Sequence, residues 1–146
     1  VEKTYDKMLR YEATARHFLP RQSGYEGDRP ATMADLSAAH GQIQLRKEHL
    51  SRYLMHILSR TCDAKMMPFF EMVGKIHTSR AGNPEIEVPA VRMNALMGYL
   101  SDLLMELISE LPIDPAQVIR TIRAINKLLW IQNDFINRQY QQKLPG

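Results

Sequence analysis

Two long stretches of helical periodicity fill the second half of the chain and constrain its fold more than any other feature. Each stretch opens at a proline, Pro89 or Pro115, and proline favours the first turn of a helix. Within each stretch, apolar residues return every three or four positions, as they do in amphipathic helices. No segment of useful length alternates with the period of two that marks a β-strand. The sequence therefore predicts an all-α fold.

The rest of the chain is also predicted to form helices separated by polar breaks. Three helices precede Pro89, over residues 1–18, from residue 35 or 37 to 59, and from residue 61 or 63 to just beyond 77. The last two run from Pro89 to Leu111 and from Pro115, with Asp114 as cap, to about Gln141. Glycine, proline and serine after the first helix predict a loop insertion of about residues 20–34. We expect a single domain over residues 1–146.

The two long helices carry more apolar surface than one core can cover. Leu100, Leu104 and Ile108 lie on the first of them, and Ile125 and Leu128 on the second. A helix that is apolar over more than half of its circumference packs against partners on two sides. One side would contact the core and a cofactor, and the other a second copy of the chain. A homodimer joined by a four-helix bundle is therefore predicted.

Composition excludes several classes of protein. The net charge is only +3, and basic residues are interspersed with acidic ones, so no nucleic-acid partner is predicted. No run approaches the roughly twenty apolar residues that cross a membrane, so we expect no membrane partner. Cys62 is the single cysteine, which excludes an internal disulfide and cysteine-ligated zinc or iron–sulfur clusters. It favours a reducing compartment, and we predict a cytoplasmic location.

His77 closes a short apolar run and is the main candidate for a metal ligand. On a helix, Phe70, Val73 and Gly74 share a face with His77, since they precede it by seven, four and three positions. Gly74 would let another group approach the backbone closely beside the imidazole. A neutral imidazole in apolar surroundings suits the proximal position on a haem iron. The alternative is a buried histidine that bonds to a backbone carbonyl.

A second histidine, His49, lies on a separate predicted helix, 28 residues before His77. It could face His77 across a flat cofactor, either lining the pocket or binding the iron itself. The alternative is a side chain that points to solvent. Tyr53 follows His49 by four positions, which places both on one helix face, and it could line the same pocket.

Three segments resemble one protein family. Residues 73–77, Val-Gly-Lys-Ile-His, followed by Val88 and Pro89, resemble the proximal segment of protoglobins and of the globin domains of globin-coupled sensors. Residues 127–135 with Tyr140 beyond them resemble the last helix of fungal protoglobin-like proteins, and residues 46–54 resemble their distal helix. The resemblance covers about residues 43–140.

The resemblance implies a globin-like helical sandwich around haem b, with His77 as proximal ligand of the iron. It also implies dimerisation through the last two helices. Tyr5 matches a distal tyrosine of the family, although Thr4 replaces the usual aromatic neighbour. His49 stands where relatives carry threonine or phenylalanine, so it could hydrogen-bond bound dioxygen or ligate the iron. The further residues that we expect against the haem are Tyr53, Phe70, Val73, Gly74 and Met97.

Three functions follow as hypotheses. The leading one is a globin domain that binds a diatomic gas (O2, CO or NO), in sensing or simple gas binding and without enzymatic turnover. The second is a haem enzyme that consumes peroxide or nitric oxide with His49 as acid–base group, or a redox protein with both histidines on the iron. The third is a helical dimerisation module without a cofactor. No hydrolytic triad, phosphate-binding glycine loop or HExxH zinc pair is present.

Overall fold

A computed structural model describes residues 1–141 of the protein, and every regular element in that range is helical. The helices are α1 (Glu2–Arg10), α2 (Glu12–Ala15), α3 (Gly41–Ser59), α4 (Met67–Lys75), α5 (Ala90–Ser109) and α6 (Pro115–Gln141). The predicted all-α fold is confirmed. The chain divides into two compact units, Val1–Arg60 and Thr61–Gly146. A single domain was predicted over residues 1–146, and residues 142–146 lie outside the described residues.

The single helix predicted over residues 1–18 is wrong, because the chain breaks at Tyr11. Tyr11 is extended, with φ −114° and ψ 124°, so α1 ends at Arg10 and the short α2 begins afresh. A 3-10 turn, Arg16–Phe18, follows α2. The hydroxyl of Thr14 donates to the Tyr11 carbonyl at 2.9 Å, which gives the broken backbone a partner.

The core of the first unit lies between α1, the 3-10 turn and the start of α3. Tyr5, Phe18 and Ile43 are buried together, and the rings of Tyr5 and Phe18 lie 5.7 Å apart. Lys47 on α3 is 6% exposed and forms an ion pair with Glu2 on α1. A nearly buried cation needs such a partner, so the pair fixes α1 against α3.

Gln42 fixes the start of the long loop that separates α2 from α3. It is fully buried, and its amide nitrogen donates to the carbonyls of Phe18 at 2.7 Å and Pro20 at 3.1 Å. Its amide oxygen accepts from the backbone of Gln22 at 3.1 Å. The predicted loop of residues 20–34 contains no α-helix, and its last residues enter a 3-10 turn, Met33–Asp35.

The predicted start of α6 agrees with the structure, whereas α3 starts later than predicted. The helix expected from residue 35 or 37 starts at Gly41, because the ring of His40 caps it by accepting from the Gln42 backbone, and it ends at Ser59 as expected. Pro115 is the first residue of α6, and the carboxylate of Asp114 accepts from the backbone N–H of Gln117 at 3.1 Å. The α6 start follows from capping chemistry that is visible in the sequence, whereas histidine is not among the preferred capping residues.

The second unit is built on α6, which packs against both α4 and α5. The rings of Phe70 on α4 and Phe135 on α6 lie 5.8 Å apart, and Phe70 is fully buried. The buried side of α6 mixes apolar and amide side chains, namely Leu129, Gln132, Asn133, Ile136 and Gln139. The amide nitrogens of Gln132 and Gln139 donate to Phe70 and Glu71 on α4, so polar contacts share the α4–α6 packing. The amide oxygens of Gln132 and Asn133 have no hydrogen-bond partner among residues 1–141.

Several large apolar side chains on α5 and α6 remain exposed. Trp130 is 65% exposed, and Ile119 is 58% exposed. Others in this set are Val91, Leu107 and Ile131. The apolar surface of the two long helices thus extends beyond the core of the second unit. Among the residues that the structure describes, no helix has the length and apolar character to cross a membrane.

Candidate functional site

His77 lies just beyond the end of α4, in the turn that follows Lys75. The helix was predicted to continue past His77, but it ends two residues earlier. The Thr78 backbone N–H donates to the Lys75 carbonyl at 2.9 Å, and this tight bond closes the last turn. His77 is half-buried, and its Nδ1 lies 2.8 Å from the carbonyl oxygen of Val73.

The bond to Val73 determines which nitrogen of the His77 ring carries the proton. A carbonyl oxygen only accepts, so Nδ1 must donate. In the neutral imidazole the lone pair then resides on Nε2, the nitrogen on the far side of the ring. A histidine that ligates a metal commonly donates its other ring N–H to a carbonyl in this way, which fixes the ring and raises its basicity. The donor chemistry of His77 therefore fits a haem iron.

The turn that carries His77 is tied to the segment before α5. The backbone N–H of Val88 donates to the His77 carbonyl at 3.0 Å. The hydroxyl of Tyr140, near the end of α6, donates to the Val88 carbonyl at 2.6 Å. Burial raises the pKa of the Tyr140 phenol to about 12, and Glu87 adds to that effect, so the hydroxyl keeps its proton at neutral pH.

The other residues predicted around His77 pack largely against α6. Phe70 is fully buried against Phe135, and its carbonyl accepts from the amide of Gln132 at 3.3 Å. A Cβ atom placed on Gly74 would lie 2.8 Å from the Phe135 carbonyl oxygen. The close approach predicted at Gly74 is therefore made by the backbone of α6. The predicted cofactor contacts of Phe70 and Gly74 stay predictions.

Val73 and Met97 are two further predicted lining residues of the second unit. Val73 is 8% exposed on α4 and supplies the carbonyl that His77 binds. Met97 is 7% exposed on α5. The structure thus gathers Phe70, Val73 and Gly74 on the helix that leads to His77, and it buries Met97 in the same unit.

Three predicted site residues belong to the first unit. Tyr5 is buried in the core of this unit beside Phe18. His49 lies exposed on α3, where burial, Arg52 and Arg46 lower its pKa while Glu48 raises it. Tyr53, one turn later, is half-buried, and burial raises the pKa of its phenol. Their roles at a cofactor stay predictions.

Arg46 is a polar neighbour of Tyr5 in the first unit. Its guanidinium carbon lies 5.1 Å from the centre of the Phe18 ring, a cation–π distance. Its Nε and Nη2 atoms are buried and have no hydrogen-bond partner among residues 1–141. Burial lowers the pKa of Arg46 to about 10, opposed by Tyr5. Burial raises the pKa of Tyr5 to about 12, opposed by Arg46.

Raising the pH above about 10 is expected to destabilise the fold through Tyr5. The pKa of its phenol is about 10 in the unfolded chain and about 12 in the folded protein, so its full contribution to the free energy of unfolding is present below about pH 10. Between about pH 10 and about pH 12, ionisation of the unfolded chain lowers the free energy of unfolding by roughly 1.4 kcal/mol per pH unit. Denaturant unfolding at several alkaline pH values, with Tyr5→Phe beside wild type, measures this. The variant should lose less stability with pH, and equal slopes would contradict the assignment.

The residues that sequence reasoning missed are Gln132, Gln139, Val88 and the hydroxyl role of Tyr140. Each connects the His77 region to another part of the second unit by a hydrogen bond. Amides and a single tyrosine in a mostly polar helix leave no periodic signal, because hydropathy patterns count them as solvent-facing. Val88, Gln132 and Tyr140 lie in segments that carry the family resemblance, which was the available clue, although it assigned them no role.

Among residues 1–141, no three histidine, cysteine or acidic side chains form a group suited to a metal ion.

Comparison with known proteins identifies the family. Residues 1–145 match the sequence model of one family, described as Protoglobin. The chain belongs to the protoglobin family. No curated protein and no solved structure gave a significant match.

Membership of the protoglobin family confirms the resemblance described above and extends it over nearly the whole chain. The helical architecture is consistent with the globin-like fold of this family. The family implies a haem-binding globin domain with a gas as ligand. The protoglobin match also includes the segment before residue 43, where the sequence alone showed little resemblance.

Proposed function

We propose that this protoglobin binds haem b through Nε2 of His77 and takes a diatomic gas such as O2, CO or NO on the opposite face of the iron. The observation that supports the proposal most directly is the 2.8 Å bond between His77 Nδ1 and the Val73 carbonyl. It selects the tautomer with the lone pair on Nε2, which a metal ligand requires. Family membership supports the choice of haem.

The residues around His77 have separate tasks in this proposal. Nε2 of His77 would hold the haem, which would supply the iron that takes the gas. The Val73 carbonyl orients the imidazole and increases electron donation from Nε2. Phe70 and Gly74 hold α4 against α6, so the segment that carries His77 rests on a rigid support.

We further propose that the protein forms a homodimer through α5 and α6. The exposed apolar side chains on these helices support this choice, Trp130 and Ile119 above all. Single exposed apolar residues are ordinary on a protein surface, but several on two neighbouring helices favour a partner with the same surface. A role in sensing would use this dimer as the route for a signal, and a cytoplasmic location stays a prediction.

Absorption spectroscopy of the haem-reconstituted protein tests the proposal. We expect a sharp Soret band, a five-coordinate ferrous form after reduction with dithionite, and a shift of the band when CO is added. A protein that shows no Soret band after reconstitution would refute haem binding and leave the cofactor-free dimerisation module.

The same spectra, together with measurements of peroxide turnover, distinguish between the alternatives that involve His49. A six-coordinate, low-spin form in both oxidation states, lost in His49→Ala, would place His49 on the iron. Peroxide turnover that needs an electron donor and is lost in His49→Ala would favour the haem enzyme. Five-coordinate ferrous iron in wild type and in His49→Ala, together with no peroxide turnover, leaves gas binding as the function.

A further inference from the structure

The last turn of α6 presents two neighbouring side chains that bond to the chain on both sides of His77. Gln139 contacts α4 before His77 and the 3-10 turn, Ser79–Ala81, after it. Tyr140 contacts Val88, which in turn bonds to His77 itself. The turn that carries the predicted iron ligand is therefore held at several points by one end of one helix.

Gln139 makes the first set of contacts from a fully buried position. Its amide nitrogen donates to the carboxylate of Glu71 on α4 at 2.9 Å. Its amide oxygen accepts from the guanidinium of Arg80 at 3.4 Å. Glu71 also lies 3.7 Å from the ammonium of Lys75, one helical turn on. The bonds to Glu71 and Arg80 are charge-assisted, and the amide nitrogen also donates to the Phe135 carbonyl at 3.5 Å, within α6 itself.

Tyr140 makes the second set of contacts. Its hydroxyl donates to the Val88 carbonyl at 2.6 Å, and the Val88 N–H donates to the His77 carbonyl at 3.0 Å. This chain of two bonds runs from α6 to the backbone of His77. The ring of His77 is fixed at the other side by the Val73 carbonyl. The backbone and the ring of His77 are thus oriented by different parts of the second unit.

We propose that Gln139 and Tyr140 are positioning residues that set the orientation of the His77 imidazole towards the haem iron. This inference rests on the proposed function, because it assigns His77 the role of iron ligand. The physical basis is that the direction of the Nε2 lone pair follows the backbone of a short turn outside α4. Without the two side chains that turn has fewer bonds to the rest of the unit and samples more orientations, which weakens the iron–nitrogen bond.

The test uses the haem-reconstituted, reduced protein and the variants Tyr140→Phe and Gln139→Leu. Tyr140→Phe removes one hydroxyl and keeps the ring. Tyr11→Phe is the matched control, since it also removes one phenolic hydroxyl and Tyr11 is a 50% exposed residue of the first unit. Two quantities are measured, the iron–histidine stretching band in resonance Raman spectra and the rate at which haem passes to an excess of a scavenging apoglobin.

We expect Tyr140→Phe and Gln139→Leu to shift or broaden the iron–histidine band, and Tyr11→Phe to leave it unchanged. Haem loss should be about fivefold faster in each of the two variants, the effect of one hydrogen bond of about 1 kcal/mol. An unchanged band and an unchanged rate in both variants would overturn the inference while the proposed function stands. A wild-type protein that binds no haem, or shows no iron–histidine band, would refute the proposed function itself. Should either variant fail to fold, the other decides.

Discussion

Replacing His77 by alanine is expected to abolish stable haem retention. The side chain supplies the one protein–iron bond in the proposed site, and loss of a group that hydrogen-bonds directly to a metal ligand already costs roughly 10- to 100-fold in affinity. Losing the ligand itself should therefore speed haem dissociation by more than about 100-fold. The measurement is the Soret absorbance that remains after reconstitution and gel filtration, compared with wild type.

His56→Ala is the control for this experiment. His56 is a half-buried histidine on α3, and no iron-ligand role was predicted for it. Its replacement should leave haem retention unchanged. Far-ultraviolet circular dichroism of His77→Ala should remain that of a helical protein, because His77 lies outside α4. A His77→Ala protein that retains a full, sharp Soret band would show that another residue holds the iron.

Gly74→Val is expected to be the most damaging substitution of a small residue. The Cβ atom would lie 2.8 Å from the Phe135 carbonyl and 3.0 Å from Cγ of Gln139, closer than side-chain carbons pack. The first contact is with backbone, so α4 and α6 must separate. Overpacking of this kind costs about 1–3 kcal/mol and sometimes more, and we expect at least about 3 kcal/mol here. Thermal and denaturant unfolding measure the loss.

Gly98→Val is the matched control. Gly98 lies in the interior of α5, and a Cβ atom there would meet nothing within 4 Å. Valine has a somewhat better helix propensity than glycine, so the free energy of unfolding should stay within about 0.5 kcal/mol of wild type. Equal losses from the two substitutions would mean that intolerance of valine in a helix, and not the α4–α6 contact, causes the effect.

The sequence predicted the elements whose boundaries depend on local chemistry. Asp114 with Pro115 correctly indicated the start of α6, whereas the start of α3 predicted at residue 35 or 37 was wrong, because the His40 cap places it at Gly41. The single helix over residues 1–18 failed, because nothing in the local pattern marks the extended backbone at Tyr11. The protoglobin family was recognised correctly from the residues around His77.

The parts that sequence reasoning missed depend on contacts between distant residues. A glycine that permits close approach does not reveal what approaches, and at Gly74 the neighbour is the backbone of α6. Trp130 lies exposed on α6, whereas Gln132 and Gln139 occupy the buried side of the same helix, the reverse of what hydropathy predicts. Hydropathy cannot distinguish a buried amide with a partner from a solvated one, since the partner is remote in the chain.

The hydrogen bonds from the amide side chains of α6 fix the position of this helix along the axis of α4. Apolar side chains tolerate small sliding, because one contact is replaced by a similar one. Gln132 and Gln139 instead match single groups, the Phe70 carbonyl and the Glu71 carboxylate. A displacement shorter than one helical turn, about 5.4 Å, breaks these bonds and offers no substitutes. Movement of α6 relative to α4 must therefore occur in discrete steps.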